Sequence, residues 1–240
     1  MTNKKKGFKI PERCLREDNP EPDINFDVKN ELERIDEESN KESWSRKTGV
    51  YHPSSLHPNA CKRAIWYDRI GEDPESRIPP DLRMLFDMGH ALHDMLQTKL
   101  EKEFDSFKAE VPVASEELNM FGHCDGVFRD EEWVLEIKTV GESVYRNLTK
   151  PKIEHVYQVH CYMYALDIPR CQLLYVNRAT GAMRNMKVHF QTSVWEKVCE
   201  IMKFVEDHVK EGSEPPRQIS KWVCRSCKFL HACEPNFDEA

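Results

Sequence analysis

The chain has 240 residues, enough for one α/β domain with a sizeable core and additional segments. Its 35 lysines and arginines against 42 aspartates and glutamates give a formal charge of −7, so the chain is no polycation, and DNA binding must depend on local basic patches. No run of about 18 apolar residues and no signal-peptide pattern occurs, so we expect no membrane partner and a location in the cytoplasm, or inside a host cell if the protein is viral.

The first residues differ in character from the rest of the chain. Residues 1–48 are polar and charge-dense, with a run of lysines and an acidic, proline-containing segment. We predict that they form a mobile arm, and that residues 49–240 form a single domain. Nine cysteines in a chain without a secretory signal favour metal binding over disulfides.

From residue 51 onward, apolar periodicity predicts regular elements. A short helix is expected over 61–70, ended by Gly71, and a long helix opens at Pro79-Pro80. Gly89 on that long helix removes a side chain where another segment can approach. The predicted apolar face of the long helix consists of Leu82, Leu85, Phe86, Gly89, Leu92, Leu96 and Leu100.

The second half of the chain alternates predicted strands and helices. The predicted elements are a strand over 107–113, a hairpin over 122–140, a helix over 155–166, strands over 171–176 and 184–190, and a helix over 194–209. Residues 144–152 are interpreted as a basic loop. Its Arg146, Lys150 and Lys152 would face a nucleic-acid backbone, or else be ordinary solvated charges.

The hairpin carries the first chemical signal. Period-2 alternation places Glu136 and Lys138 on the same face of an otherwise apolar strand. A turn at residues 130–131, or a longer loop centred there, sets Asp125 opposite Glu136, where one cation could contact both carboxylates. The alternative is a solvated salt bridge on a half-exposed strand. Glu110, on the preceding strand, either reaches this site or is a solvated carboxylate.

Asp125 followed by Glu136-Ile-Lys138 resembles the Asp…Glu-x-Lys signature of the PD-(D/E)xK nuclease superfamily. The resemblance implies an α/β restriction-endonuclease-like core, with a central mixed sheet flanked by helices. It implies that Lys138 orients the attacking water or neutralises charge that develops on the phosphate. The ligands that it implies for Mg²⁺ or Mn²⁺ are His93, Asp125, Glu136 and the main-chain carbonyl of Ile137.

Two helical motifs on either side of the hairpin are similar to the RecB-like branch of that superfamily. Gly89-x-x-x-His93 precedes the hairpin, and Gln158-x-x-x-Tyr162 follows it. The resemblance implies that His93 is a metal ligand and that Gln158 and Tyr162 line the catalytic site. An ordinary amphipathic helix is the alternative for the second motif.

Four cysteines form the last candidate site, with a C-x2-C-x5-C pattern near the C-terminus and one early cysteine. They are Cys61, Cys224, Cys227 and Cys233. Four thiolates suit zinc or an iron–sulfur cluster. The arrangement is similar to the iron–sulfur nucleases, which include the AddB nuclease domain and CRISPR-associated RecB-like exonucleases, and implies a [4Fe-4S] cluster that joins 49–78 to 212–240. Zinc, with His231 as a substitute ligand, is the alternative. The cysteines expected to be buried thiols are Cys14, Cys124, Cys161, Cys171 and Cys199.

The resemblance implies a metal-dependent DNA exonuclease that prefers single strands or single-stranded ends, in repair, recombination or adaptive-immunity processing. The alternatives are an endonuclease, or a catalytically idle DNA-end adaptor with a structural cluster. Tyr157, Tyr162 and Trp222 are predicted to stack on bases. The chain has no G-x-x-x-x-G-K-[ST] loop, so any motor would be a separate helicase or recombination partner.

Overall fold

The computed structural model describes residues 47–74, 80–217, 223–224 and 227–233, together with Val28. The predicted N-terminal arm therefore lies outside the described residues, apart from Val28 and its last two positions. The chain divides into two units, Met1–Ser43 and Trp44–Ala240, and the description below concerns the second unit. None of the described helices is long and apolar enough to cross a membrane.

A five-stranded mixed sheet forms the centre of this unit, with its strands adjacent in chain order. The strands are β1 (Phe107–Ser115), β2 (Met120–Phe128), β3 (Trp133–Val140), β4 (Arg170–Asn177) and β5 (Met183–His189). Neighbouring strands are antiparallel except β3 and β4, which are parallel. Because parallel neighbours require a crossover, the chain between β3 and β4 leaves the sheet and returns through helical segments.

Helices surround this sheet, so the predicted core architecture is confirmed. They are α1 (Lys62–Ile70), α2 (Pro80–Glu103), α3 (Glu142–Asn147), α4 (Ile153–Leu166), α5 (Thr192–Glu211) and α6 (Leu230–Cys233), with a 3-10 turn at Pro53–Ser55. The prediction of a loop over 144–152 was wrong in its first half, which belongs to α3. The side chains of Glu142 and Arg146, one turn apart, form an ion pair that supports this short helix.

Alternating residues of β3 pack on opposite sides of the sheet. The α2-side cluster contains Phe107, Leu135, Ile137 and Val176, packed against Leu92, Leu96 and Leu100 of α2. The α4-side cluster includes Val134, Val140, Leu173 and Tyr175, together with Val159 and Met163 of α4. The predicted apolar face of α2 was too wide, because Phe86 lies 47% exposed. Gly89 does allow a close approach, since a Cβ there would lie 3.3 Å from the Thr139 hydroxyl.

Candidate active site

The hairpin of β2 and β3 places two carboxylates side by side. A four-residue turn at 129–132 joins the strands, and the last paired residues are Gly126 and Leu135. One further step along the same register would pair Asp125 with Glu136, as predicted, but the main-chain pairing ends at Gly126 and Leu135. At this level a side chain replaces the main-chain acceptor of the ladder: the Ile137 N–H donates to Asp125 Oδ2 at 2.5 Å. This contact fixes the Asp125 carboxylate against β3.

His93 of α2 approaches the same aspartate from the helix side. Its Nδ1 lies 3.2 Å from Asp125 Oδ1. Burial acts to lower the pKa of His93, but the hydrogen bond and charge of Asp125 outweigh it and raise the pKa. The predicted metal ligands His93 and Asp125 are thus in direct contact, with both side chains largely shielded from solvent.

Glu136 is the most deeply buried carboxylate of this group, with only 3% of its surface exposed. Its Oε1 lies 2.7 Å from Lys138 Nζ and accepts a hydrogen bond from Gln158 Nε2 at 2.9 Å. Its Oε2 is buried and has no hydrogen-bond partner among the described residues. Burial raises the pKa of Glu136, Lys138 opposes that shift, and the charge of Asp125 adds to it. A buried oxygen without a donor is costly unless a cation satisfies it, so this atom suits a metal ligand.

The predicted Gln-x-x-x-Tyr motif of α4 reaches this carboxylate. The Nε2 of Gln158 donates both to Glu136 and, at 2.6 Å, to the Tyr162 hydroxyl. Tyr162 itself is only 3% exposed, as is Tyr157. Neither ring can present a face to a DNA base, so the prediction of base stacking by these two tyrosines was wrong. Trp222, the third residue in that prediction, lies outside the described residues.

The six predicted side chains of the nuclease site form two contact groups. His93 and Asp125 are one group, and Glu136, Lys138, Gln158 and Tyr162 are the other. Ile137, between Glu136 and Lys138 in the chain, connects the two groups because its main-chain N–H donates to Asp125, while its predicted role as a carbonyl ligand stays a prediction. Over the described ranges, no three His, Cys, Asp or Glu side chains converge closely enough to hold a metal ion as they stand.

Sequence reasoning missed Gln97, which is 4% exposed and supports Asp125 from α2. Its Nε2 donates to the Asp125 carbonyl at 2.8 Å and to Glu110 Oε1 at 2.6 Å. A signal was present in the sequence, because Gln97 lies one helical turn after His93 and therefore faces the same way. Glu110, for which the sequence allows either a site role or a solvated carboxylate, is connected to Asp125 through this amide.

The β1–β2 ladder is interrupted at the level of Asp125. Ala109 pairs with Gly126 and Val111 with Cys124, but the pair between them, Glu110 with Asp125, is missing. Glu110 has a φ of +49°, in the left-handed region that non-glycine residues rarely occupy. The Asp125 carbonyl, which could otherwise receive a strand hydrogen bond, is satisfied by Gln97 instead.

Before and after this interruption, odd-numbered side chains of β1 point to opposite sides of the sheet. Phe107 and Ala109 pack in the α2-side cluster, whereas Val111 and Val113 pack in the α4-side cluster. All four are odd-numbered and would share one face of a regular strand. The backbone therefore rotates at Glu110, directly opposite the catalytic candidate on β2. Such irregularities re-aim side chains beside functional sites.

The four candidate ligands of the cluster line one cavity at the junction of α1 and α6. They are Cys61, Cys224, Cys227 and Cys233, with Tyr67 and Phe229 as neighbouring walls. Burial raises the pKa of Cys227, and the nearby groups of the other three cysteines add to that shift. His231 is not among the described residues that line this cavity, and its Nε2 lies 3.8 Å from Glu72.

The remaining cysteines follow the prediction in part. Cys124, Cys161 and Cys171 are buried, whereas Cys199 is only partly buried. Cys14 lies outside the described residues.

The predicted basic loop does not present three unpaired cations. Arg146 pairs with Glu142 within α3, and Lys152 Nζ lies 3.8 Å from Glu154. Lys150 is exposed on the segment between α3 and α4.

Solved structures share this fold at low sequence identity. The structure of SSO0001 aligns with a TM-score of 0.53 and 16% identity, over 86% of this chain and 95% of that protein. LHK-Exo, an alkaline exonuclease from Laribacter hongkongensis, aligns in its complex with dAMP with a TM-score of 0.55 and 13% identity, over 68% of this chain and 89% of that one. The sequence matches no family model and no curated protein. At these identities the likeness establishes the fold alone.

Proposed function

We propose that the chain is a divalent-metal-dependent deoxyribonuclease of the PD-(D/E)xK superfamily, RecB-like branch, that acts as an exonuclease on single-stranded DNA or single-stranded ends. One observation carries the proposal: the buried Glu136 has an unsatisfied Oε2 and is paired with Lys138, and the N–H of the intervening Ile137 holds the Asp125 carboxylate. The shared fold of an alkaline exonuclease solved with dAMP supports DNA as the substrate.

The donor types of the residues present suit a magnesium or manganese ion, although no three of the described side chains converge on one point as they stand. His93, Asp125, Glu136 and the Ile137 carbonyl would hold it, and a mainly oxygen donor set suits these cations. When bound, the ion would polarise the scissile phosphate and lower the pKa of the attacking water. The unsatisfied oxygen of Glu136 is the observation that supports this fit.

Lys138 supplies the positive charge beside the reacting phosphate. Burial acts to lower its pKa, but the charge and hydrogen bond of Glu136 outweigh that effect, so the pKa is raised and the ammonium keeps its proton. Its Nζ is fixed 2.7 Å from Glu136 and can donate to a water or to a phosphate oxygen. Such a fixed donor needs no reorganisation when charge develops on the phosphate.

We include in the proposal a [4Fe-4S] cluster held by the four cysteines, with zinc as the alternative. The support is that all four line one cavity that joins the early helix α1 to the C-terminal segment. Among the described residues no three His, Cys, Asp or Glu side chains are placed to hold a metal ion as they stand, so the cluster is proposed from the spacing of the four cysteines and their shared cavity.

The biological setting that we propose is DNA repair, recombination or related processing, with a separate helicase or recombination protein as partner. This setting depends on the resemblance of the motifs and on the absence of a nucleotide-binding loop in the sequence.

The test is degradation of linear and circular single-stranded DNA by anaerobically purified protein with Mg²⁺ or Mn²⁺. We expect loss of the linear DNA only, and no loss with Glu136→Ala. Lys138→Ala should lose cutting while DNA binding persists. Cutting of the circle would instead establish an endonuclease, and no cutting of either DNA by the intact protein would contradict the nuclease assignment.

A further inference from the structure

A second concave surface includes Tyr162 of the catalytic group in its lining. It encloses about 690 Å³, including its open side. Phe121, Gly122 and His123 at the start of β2 form one wall, and Pro53 of the 3-10 turn forms another. Lys47 and Tyr162 also line it, and Gln158 contacts both the Tyr162 hydroxyl and Glu136. The nuclease chemistry described above uses none of the residues of this cavity except Tyr162.

The chemistry of this cavity combines aromatic rings with a cation. The rings of Phe121 and His123 meet edge to face, with centroids 5.2 Å apart and an interplanar angle of 88°. His123 is exposed and Phe121 is half-buried, so both rings can be reached from solvent. The Nζ of Lys47 lies 5.1 Å from the centroid of the Phe121 ring. Aromatic rings beside a lysine are the elements that proteins use for an unpaired base and its phosphate.

Tyr162 connects this cavity to the catalytic carboxylate through Gln158. Gln158 Nε2 lies 2.6 Å from the Tyr162 hydroxyl and 2.9 Å from Glu136 Oε1. The two oxygens are therefore at most 5.5 Å apart, the sum of those distances. Because Tyr162 also lines the cavity, a nucleotide bound there would lie beside the catalytic group.

We propose that this cavity binds the nucleoside next to the scissile phosphate of single-stranded DNA, with its base against Phe121 and His123 and a phosphate near Lys47. The proposal depends on the nuclease function above and adds a base-binding subsite to it, and a base that enters the cavity must be unpaired. It moves base recognition from the buried Tyr157 and Tyr162 to two residues at the start of β2.

The test is DNA binding without turnover, so that it does not depend on catalysis. Binding of a fluorescein-labelled oligothymidylate of about twelve nucleotides would be measured by anisotropy in EDTA. We expect Phe121→Ala and His123→Ala each to weaken binding about tenfold, the size expected for loss of one stacked base. The matched control is Phe204→Ala, which removes an exposed phenylalanine that also contacts a histidine, His208, on α5.

A second probe separates recognition of a base from general damage to the fold. In a series of oligonucleotides, an abasic residue replaces one thymidine at each position in turn. At one position, removal of the base should weaken binding to the intact protein but not to the Phe121→Ala protein. If Phe121 had only a structural role, each abasic oligonucleotide would lose the same factor in affinity for the Phe121→Ala protein as for the intact protein.

The outcomes for the cavity and for the nuclease function are distinct. Equal binding by Phe121→Ala, His123→Ala and Phe204→Ala would overturn the cavity proposal while DNA cutting by the intact protein still supports the nuclease. Coupling between Phe121 and one base in a protein that cuts no DNA with Mg²⁺ or Mn²⁺ would support the cavity and contradict the nuclease. No binding of the oligonucleotide by the intact protein would overturn the cavity proposal.

Discussion

The side-chain amide of Gln97 donates to the main-chain carbonyl of Asp125 at 2.8 Å, at the level where the β1–β2 ladder lacks a pair. Helix α2 thus contacts this aspartate twice, through the His93 ring at its carboxylate and through Gln97 at its backbone. The position of the Asp125 carboxylate therefore depends on the helix as well as on the sheet.

Gln97→Leu should impair catalysis more than it impairs folding. The substitution leaves the Asp125 carbonyl without its donor, at a cost of about 1–3 kcal/mol in the free energy of unfolding. We expect a higher Mn²⁺ concentration for half-maximal activity and a lower kcat, with little change in DNA binding. The matched control is Gln172→Leu, which removes an exposed hydrogen bond to Asn185. An unchanged Mn²⁺ requirement in Gln97→Leu would contradict a positioning role.

The positive φ of Glu110 can be tested by the choice of replacement. Glycine adopts φ = +49° without strain, whereas a β-branched residue does not. We expect Glu110→Val to lower the free energy of unfolding by about 1–3 kcal/mol relative to Glu110→Gly, measured by urea denaturation. Equal stability of the two variants would mean that β1 has regular extended backbone at this position.

The raised pKa of Glu136 predicts how stability depends on pH. A carboxyl whose pKa is higher in the folded than in the unfolded state keeps a proton that unfolding releases. The metal-free protein should therefore lose stability as pH rises above the ordinary glutamate pKa of about 4.3, until the raised pKa is passed. In EDTA, the Tm of the wild type should fall relative to that of Glu136→Gln between about pH 5 and pH 8. If Tm changed with pH in the same way in the wild type and in Glu136→Gln, the pKa of Glu136 would not be raised.

Gly126 should tolerate no side chain. A Cβ there would lie 2.3 Å from the ring of Phe107, which is fully buried in the α2-side cluster. We expect Gly126→Ala to reduce the free energy of unfolding by about 1–3 kcal/mol, measured by urea denaturation. Adding Phe107→Leu should recover part of that loss, because the smaller side chain makes room for the methyl group. A purely additive loss would show that the ring is not the obstacle.

The cysteine cavity predicts a metal content. Anaerobically purified protein should contain iron and acid-labile sulfide, and Cys227→Ser should lose both. Cys199→Ser is the matched control, because Cys199 is a partly buried thiol that is not among the residues lining the cavity. If the anaerobic protein contained stoichiometric zinc and no iron, the iron–sulfur assignment would be wrong and the zinc alternative would be supported.

The sequence predicted the hairpin and the helices because their signals are local. The register that sets Asp125 opposite Glu136 follows from where the turn lies, and one-turn spacing placed Gln158 beside Tyr162. Strand alternation and helical periodicity are short-range rules, so they survive without knowledge of the tertiary fold.

What the sequence did not predict depends on contacts between distant segments. The rotation at Glu110 is linked to Gln97, a residue on a separate helix, and no local pattern announces a positive φ at a glutamate. The aromatic periodicity of α4 gave no sign that Tyr157 would be buried, because that depends on the packing of α5 and α1. Short-range patterns also placed Phe86 in the core, although the width of the covered face of α2 is set by the sheet.

Two buried polar residues of helix α1 contact residues that lie 152 and 160 positions later in the chain. The Arg63 Nε donates to the Pro215 carbonyl across 152 residues, and Lys228 pairs with Asp68 across 160. Both Arg63 and Asp68 are buried, so these contacts are expensive to leave unmade. During synthesis, all five strands can leave the ribosome and pair before Pro215 and Lys228, the partners of α1, have been made. Although it precedes the whole sheet in the chain, α1 should be the last of these elements to become stable during synthesis.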